Sequence, residues 1–132
     1  MFEKIISGEI PKTFLYTDDH CVAFLDISPI NKGHTLVIPR HPFKNLYEIP
    51  EALVGHLFNV AQKIARAQKE ALAADGVNII MNNDAAAGQE VFHAHIHVIP
   101  RYNNDGYEHW HSHGGYHGDE ELLTIEKIRQ SL

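Results

Sequence analysis

The sequence predicts an α+β fold on three observations: short apolar runs of period two before residue 41, one long stretch of helical periodicity, and strand-like runs after it that end in three alternating histidines. The elements follow in order. "FEKIISG" (2–8) reads as a short helix stopped by Gly8 and Pro11. "TFLYTDD" and "CVAFLDI" read as two strands of a hairpin turning at the paired aspartates. "SPINKG" is a polar bend, and "HTLVIPR" is a third strand ended by Pro39. Short links between three strands favour an antiparallel meander.

From Pro50 to about Ala74 the period changes. Leu53, Leu57, Val60, Ile64 and Leu72 recur at helical spacings among Ala, Gln, Lys and Glu, which predicts one long amphipathic helix. "GVNIIMNN" then reads as a strand, "DAAAGQE" as a loop, and "VFHAHIHVIPR" (91–101) as the last strand. "YNNDGYEHWHSHGGYHG" has no period and reads as an irregular loop. "DEELLTIEKIRQSL" carries acids first and Leu122, Ile125, Ile128 and Leu132 after them, which suits a closing helix.

Composition bounds the organisation. A chain of 132 residues with 44% hydrophobic and 21% charged residues is long enough for one domain with its own core. The expected division is a core over 1–102, a loop over 103–118 rich in His, Gly and aromatics, and a C-terminal helix over 119–132. A formal charge of -6 with no Lys/Arg cluster argues against polymeric nucleic acid as a partner. A local phosphate site stays compatible with that charge, because backbone N–H groups and histidines bind phosphate esters. The N-terminus lacks a signal-like apolar run, and no segment approaches the roughly 20 apolar residues of a membrane span. The expectation is a soluble, cytoplasmic protein. Cys21 is the single cysteine, so no intrachain disulfide or thiolate zinc cluster is expected, and its apolar neighbours predict a buried thiol.

His93, His95 and His97 occupy alternate positions, so on a strand they share one face while Ala94, Ile96 and Val98 take the other. Packing alone does not account for three imidazoles where Val or Ile would cost less. Zinc is disfavoured, since Val98, Ile99, Pro100 and Arg101 follow and offer no carboxylate partner. Nucleophilic catalysis fits better: a neutral imidazole can attack phosphorus while neighbouring histidines hold phosphate oxygens or protonate the leaving group. Gly88 lets the backbone approach a ligand closely, and Gln89 can donate and accept hydrogen bonds.

"GQEVFHAHIHVIPR" closely resembles the signature of the histidine triad (HIT) family, in which histidines alternate with apolar residues after Gly-Gln-x-Val. The likeness extends through "FEKIISGEIP", "CVAFLDISP" and "KGHTLVIPRH", in collinear order over about residues 2–102. It implies a five-stranded antiparallel sheet with one long helix and symmetric homodimers formed through that helix and a sheet edge. It implies that His95 is the nucleophile and is transiently nucleotidylated, that the backbone of His93 orients it, and that His97 contacts the phosphate and leaving group. His34 matches a fourth histidine that supports the triad, Gln89 a residue near the scissile bridge, and Gly88 a backbone phosphate contact.

The likeness also assigns the nucleoside end. Asp26 matches an acid that binds ribose hydroxyls, although a turn cap before Ser28-Pro29 is a competing role. Phe2, Ile5, Ile10, Phe24 and Ile27 match positions that wall the base, where plain core packing is the alternative. Asn82 matches a polar neighbour of the phosphate. An ionised Glu90 cannot donate to a phosphate oxygen as Ser or Thr does in some branches, so it points away or offers its N–H.

Many bacterial relatives join a Cys-x-x-Cys pair and two histidines on a structural zinc. Met1, Phe2 and Glu3 occupy that region here, and His41 and His93 alone are too few for a closed site. Neither a structural metal nor a cofactor is expected. The activity implied is hydrolysis at the α-phosphate of purine nucleoside derivatives, as in phosphoramidases of the Hint branch, with dinucleoside polyphosphates of the Fhit branch as the other substrate class. A different class of function is metal handling or regulation by His109, His111, His113 and His117. Against it stands a solvated loop that folds over the site's mouth with Trp110 and Tyr116 packed on a neighbour.

Overall fold

Apolar side chains on both faces of a single sheet decide where everything else sits. A computed structural model describes residues 1–132. Its strands are β1 (Tyr16–Thr17), β2 (Cys21–Leu25), β3 (Thr35–Pro39), β4 (Gly76–Ile80) and β5 (Ile96–Arg101). Every neighbouring pair is antiparallel, and the spatial order is β1-β2-β3-β5-β4. The helices are α1 (Phe2–Ser7), α2 (Glu51–Ala71) and α3 (Glu120–Arg129), with short 3-10 turns at Leu46–Glu48 and Ala85–Ala87.

The period of two sorts the core. Cys21, Ala23, Val37, Ile96 and Val98 face α2, where they meet Leu57, Val60, Ala61 and Ile64. Val22, Phe24, Leu36 and Ile38 face the other way, against Phe2 and Ile5 of α1. Gly8 ends α1 in the left-handed conformation at φ 88°, which glycine adopts without strain. No helix is long and apolar enough to cross a membrane.

Two strands are shorter than their patterns predict. Of "TFLYTDD" only Tyr16–Thr17 form strand pairs with β2, with the Leu15 N–H donating to the Ala23 carbonyl beside them; Asp18 then makes the expected turn by accepting the N–H groups of His20 and Cys21 on one carboxylate oxygen. The last strand begins at Ile96 rather than near Val91. Val37 opposes Ile96, so Ala94 would oppose Pro39, which has no N–H to give. The Ala94 N–H turns to the carbonyl of Phe43 instead, at 2.7 Å.

Candidate active site

His97 lies on β5 in a row with Leu36 and Phe24, which places it on the sheet face that packs against α1. His93 and His95 lie in the extended segment just before the strand. They keep its alternation, since Ala94 is buried with Ile96 and Val98 in the core toward α2. Phe2 braces them from α1, its ring centroid 5.9 Å from that of His93 and 5.3 Å from that of His95. His95 and His97 stand 4.9 Å apart, centroid to centroid.

Hydrogen-bond partners assign the tautomers. His95 Nδ1–H donates to the His93 carbonyl at 2.7 Å, which leaves the lone pair on Nε2. His34 Nδ1 accepts the Ile30 N–H at 3.1 Å, so its proton sits on Nε2 and is donated to His97 Nδ1 at 2.9 Å. His97 then carries its own proton on Nε2. His93 Nε2–H donates to the Pro39 carbonyl at 2.7 Å, and its buried Nδ1 has no partner.

Burial holds all four imidazoles neutral. It pushes His93, His95 and His34 below their ordinary value, and it takes His97 down to about 4 with help from its neighbours His95 and His34. The Asp26 carboxylate opposes the shift in His34, His95 and His97 without reversing it. Neutral rings are what a nucleophile and a hydrogen-bond donor to phosphate require at pH 7.

A cleft of about 660 Å³ opens above these rings. Of the residues singled out in the sequence it brings together His95, His97, Asp26, Phe2, Ile5, Ile10, Phe24, Ile27, Asn82, Gly88 and Glu90. His93 and His34 lie beneath it and act through His95 and His97. Asp26 Oδ1 caps the turn by accepting the Ser28 N–H at 2.8 Å, while Oδ2 lies 3.7 Å from His34 Nε2 on the side of the cleft. Ile27 is 90% exposed, so the cleft is open at that wall.

Two of the expected residues make their hydrogen bonds within the loop 82–90 and its neighbours. Gln89 does not line the cleft; its buried amide accepts the Asp84 N–H and donates to the carbonyls of Lys44 and Val91. Its chemistry is used up in holding the loop. The Gly88 N–H donates to the Ala85 carbonyl and is not free for a phosphate, although φ 94° still requires glycine there. The backbone N–H groups of Glu90 and Val91 have no partner within the chain, and both residues are in the cleft lining.

Sequence reasoning missed Lys12, the one cationic side chain of Lys or Arg in the cleft wall, which lies 5.6 Å from the Phe24 ring centroid. Its place directly after the Pro11 stop of α1 was the available signal. It also missed the anchor of the tail, where Asp105 takes two bonds from Arg101 at 2.7 and 3.0 Å and a third from Asn31. Residues 107–110 line a separate recess together with Ile30, Ile80 and Ile99, and none of them lines the cleft. Trp110 is 91% exposed, and His109, His111, His113 and His117 are exposed without converging on a common point.

Comparison with known proteins fits this geometry. The HIT domain family model matches residues 7–104. The chain belongs to the HIT family. The protein Hit of Bacillus subtilis is 45% identical to this HIT protein over 127 residues, covering 95% of this chain and 88% of the relative. A crystal structure of a Bacillus anthracis HIT protein superposes with a TM-score of 0.90 at 41% identity, over 100% of this chain and 96% of the other. The adenylylsulfatase HINT3 of Arabidopsis thaliana is 43% identical over 80% of this chain, which spans 53% of that longer protein. Proteins of the HIT family are nucleotide-binding hydrolases and transferases.

Proposed function

We propose that this HIT protein hydrolyses purine nucleoside 5′-monophosphate derivatives at the α-phosphate, as a phosphoramidase does, with His95 as the nucleophile. The observation that carries the reading is the 2.7 Å bond from His95 Nδ1–H to the His93 carbonyl, which directs the Nε2 lone pair to the reaction. Nε2 attacks phosphorus, a P–N bond forms, and the bond to the leaving amine breaks as that amine takes up a proton from water, which the hydrolysis of the intermediate returns. Water then cleaves the nucleotidyl-histidine and returns neutral His95. The His97 Nε2–H and the Glu90 N–H supply donors for phosphoryl oxygens, whose charge grows in the transition state. Asp26 Oδ2 accepts from the ribose hydroxyls, and the apolar wall from Phe2 to Ile27 seats the base.

The described activity of the Arabidopsis relative, an adenylylsulfatase, agrees with chemistry at an adenylyl phosphate. A dinucleoside polyphosphate is the second substrate class, favoured by an open recess of about 730 Å³ beside α1 that shares Ile5, Ile10 and Lys12 with the cleft. A homodimer is part of the reading: β4 is an outer strand, and Ile79 on it and Phe58 on α2 are each about 40% exposed. The test is to incubate the protein and a His95→Ala variant with adenosine phosphoramidate and, separately, diadenosine polyphosphates, following release of nucleoside monophosphate. Faster release from the phosphoramidate, lost in the variant, is expected. Equal release by both proteins sinks the assignment, and a preference for the dinucleotide favours the second class.

A further inference from the structure

Chemistry-bearing side chains also gather on the opposite side of the sheet, where the β1–β2 turn meets α2. Asp18 Oδ2 lies 2.7 Å from His56 Nε2 and 3.7 Å from Cys21 Sγ, and the three donor atoms all fall within 4.8 Å of one another. None of the three residues lines the cleft.

We propose that Asp18, Cys21 and His56 form a site for a borderline divalent cation, zinc before other metals, that ties the β1–β2 turn to α2. The spacing suits a tetrahedral ion: with bonds of about 2.0 to 2.3 Å, donors stand roughly 3.3 to 3.7 Å apart. The Asp18–Cys21 separation is already of that size, and the Asp18–His56 pair has to open by about half an ångström. The donor set points the same way, since thiolate and imidazole select zinc over magnesium or calcium, which take oxygen ligands.

Charge and access agree with the assignment. One thiolate and one carboxylate neutralise a dication, so the occupied site buries no net charge. Binding forms the metal–sulfur bond and releases the Cys21 thiol proton to solvent. Cys21 is fully buried, but the Asp18 and His56 side chains keep 23% and 35% of their surface, which leaves an entry path and a fourth position for water. The His20 ring stands beside His56, centroid to centroid at 5.5 Å. Asp18 is held toward the ion by its other oxygen, bonded to the N–H groups of His20 and Cys21, and by the Tyr16 hydroxyl at 2.8 Å. The site is separate from the triad and from the exposed histidines of the tail.

Cobalt(II) titration of metal-free protein without an affinity tag tests this. The expected result is one tight cobalt per chain, with a thiolate-to-cobalt charge-transfer band in the near ultraviolet and the intense visible bands of a tetrahedral ion. Both persist when His109, His111, His113 and His117 are all changed to Ala. Cys21→Ser removes the charge-transfer band, and His56→Ala weakens binding by more than about tenfold. Zinc raises the melting temperature of the parent and of the tail variant, but not of Cys21→Ser. If Cys21→Ser does not fold, Asp18→Asn is held to the same loss of affinity. Cobalt bound only by the tail histidines, or without a thiolate band, overturns the proposal.

Discussion

His95 Nδ1 donates to the main-chain carbonyl of His93 at 2.7 Å, so the His95 imidazole is oriented by its neighbour's backbone and not by its neighbour's ring. The two histidines should therefore respond differently to substitution. His95→Ala lowers kcat/KM by about a thousandfold or more, because the attacking atom is gone. His93→Ala keeps the carbonyl but strips the Pro39 oxygen of its partner, at about 1–3 kcal/mol of stability. Its activity loss is far smaller. Steady-state rates beside urea unfolding of the two variants separate these effects.

The depressed histidines fix a pH dependence. Between pH 6.5 and the folded value of about 4 for His97, the unfolded chain binds the proton that the folded chain refuses. The stability from neutral His97 is complete above pH 6.5, declines as pH falls through that window, and is lost below about 4. The loss amounts to about 3 kcal/mol. His93, His95 and His34 shift in the same direction and add to it. Urea unfolding at a series of pH values should show the decline, and the acid limb of kcat/KM should turn below 6.5. Stability that stays flat over the window contradicts the neutral assignment.

His34 sets the proton on His97 without entering the cleft. His34→Phe frees His97 to take its other tautomer and should lower kcat by about 10- to 100-fold with little change in KM, the size of effect seen for supporting partners. Nitrogen NMR of the parent should show the His97 proton on Nε2, and the variant should show a mixture. An unchanged tautomer in a slow variant would assign the loss to packing.

Gln89 makes three buried hydrogen bonds to the backbone of its own loop and of the segment before α2. Gln89→Ala should cost about 1–3 kcal/mol in stability, since it removes three bonds that hold the loop together and tie it to the segment before α2. Loss of activity is expected to follow disorder of the Gly88–Glu90 turn and to appear mainly in KM. A drop confined to kcat, with an unchanged melting temperature, would return Gln89 to the scissile bridge.

Much of the site was legible in the chain because period two governs it. The alternation at residues 93–97 correctly put His95 and His97 over the cleft and Ala94 and Ile96 in the core. What pattern could not supply was the pairing partner: the ladder stops at Ile96 because Pro39, far away in sequence, would sit across from Ala94. The motif likewise put Gln89 beside the ligand, but Asp84 at φ 75° and Gly88 at φ 94° turn the loop so that the amide points inward. Positive φ at an aspartate leaves no mark in composition or spacing. The contact between Asp18 and His56 joins a turn to a helix 38 positions away, and each residue alone reads as ordinary surface.

The measurement that tests the central claim most directly is acid-free rapid quench of the protein with adenosine phosphoramidate, followed by mass spectrometry of the digested chain. A nucleotidyl adduct on His95 that forms within one turnover, decays as nucleoside monophosphate appears, and is absent from His95→Ala is the predicted result. Monophosphate release with no adduct on any residue, or an adduct on His97 in its place, would contradict it.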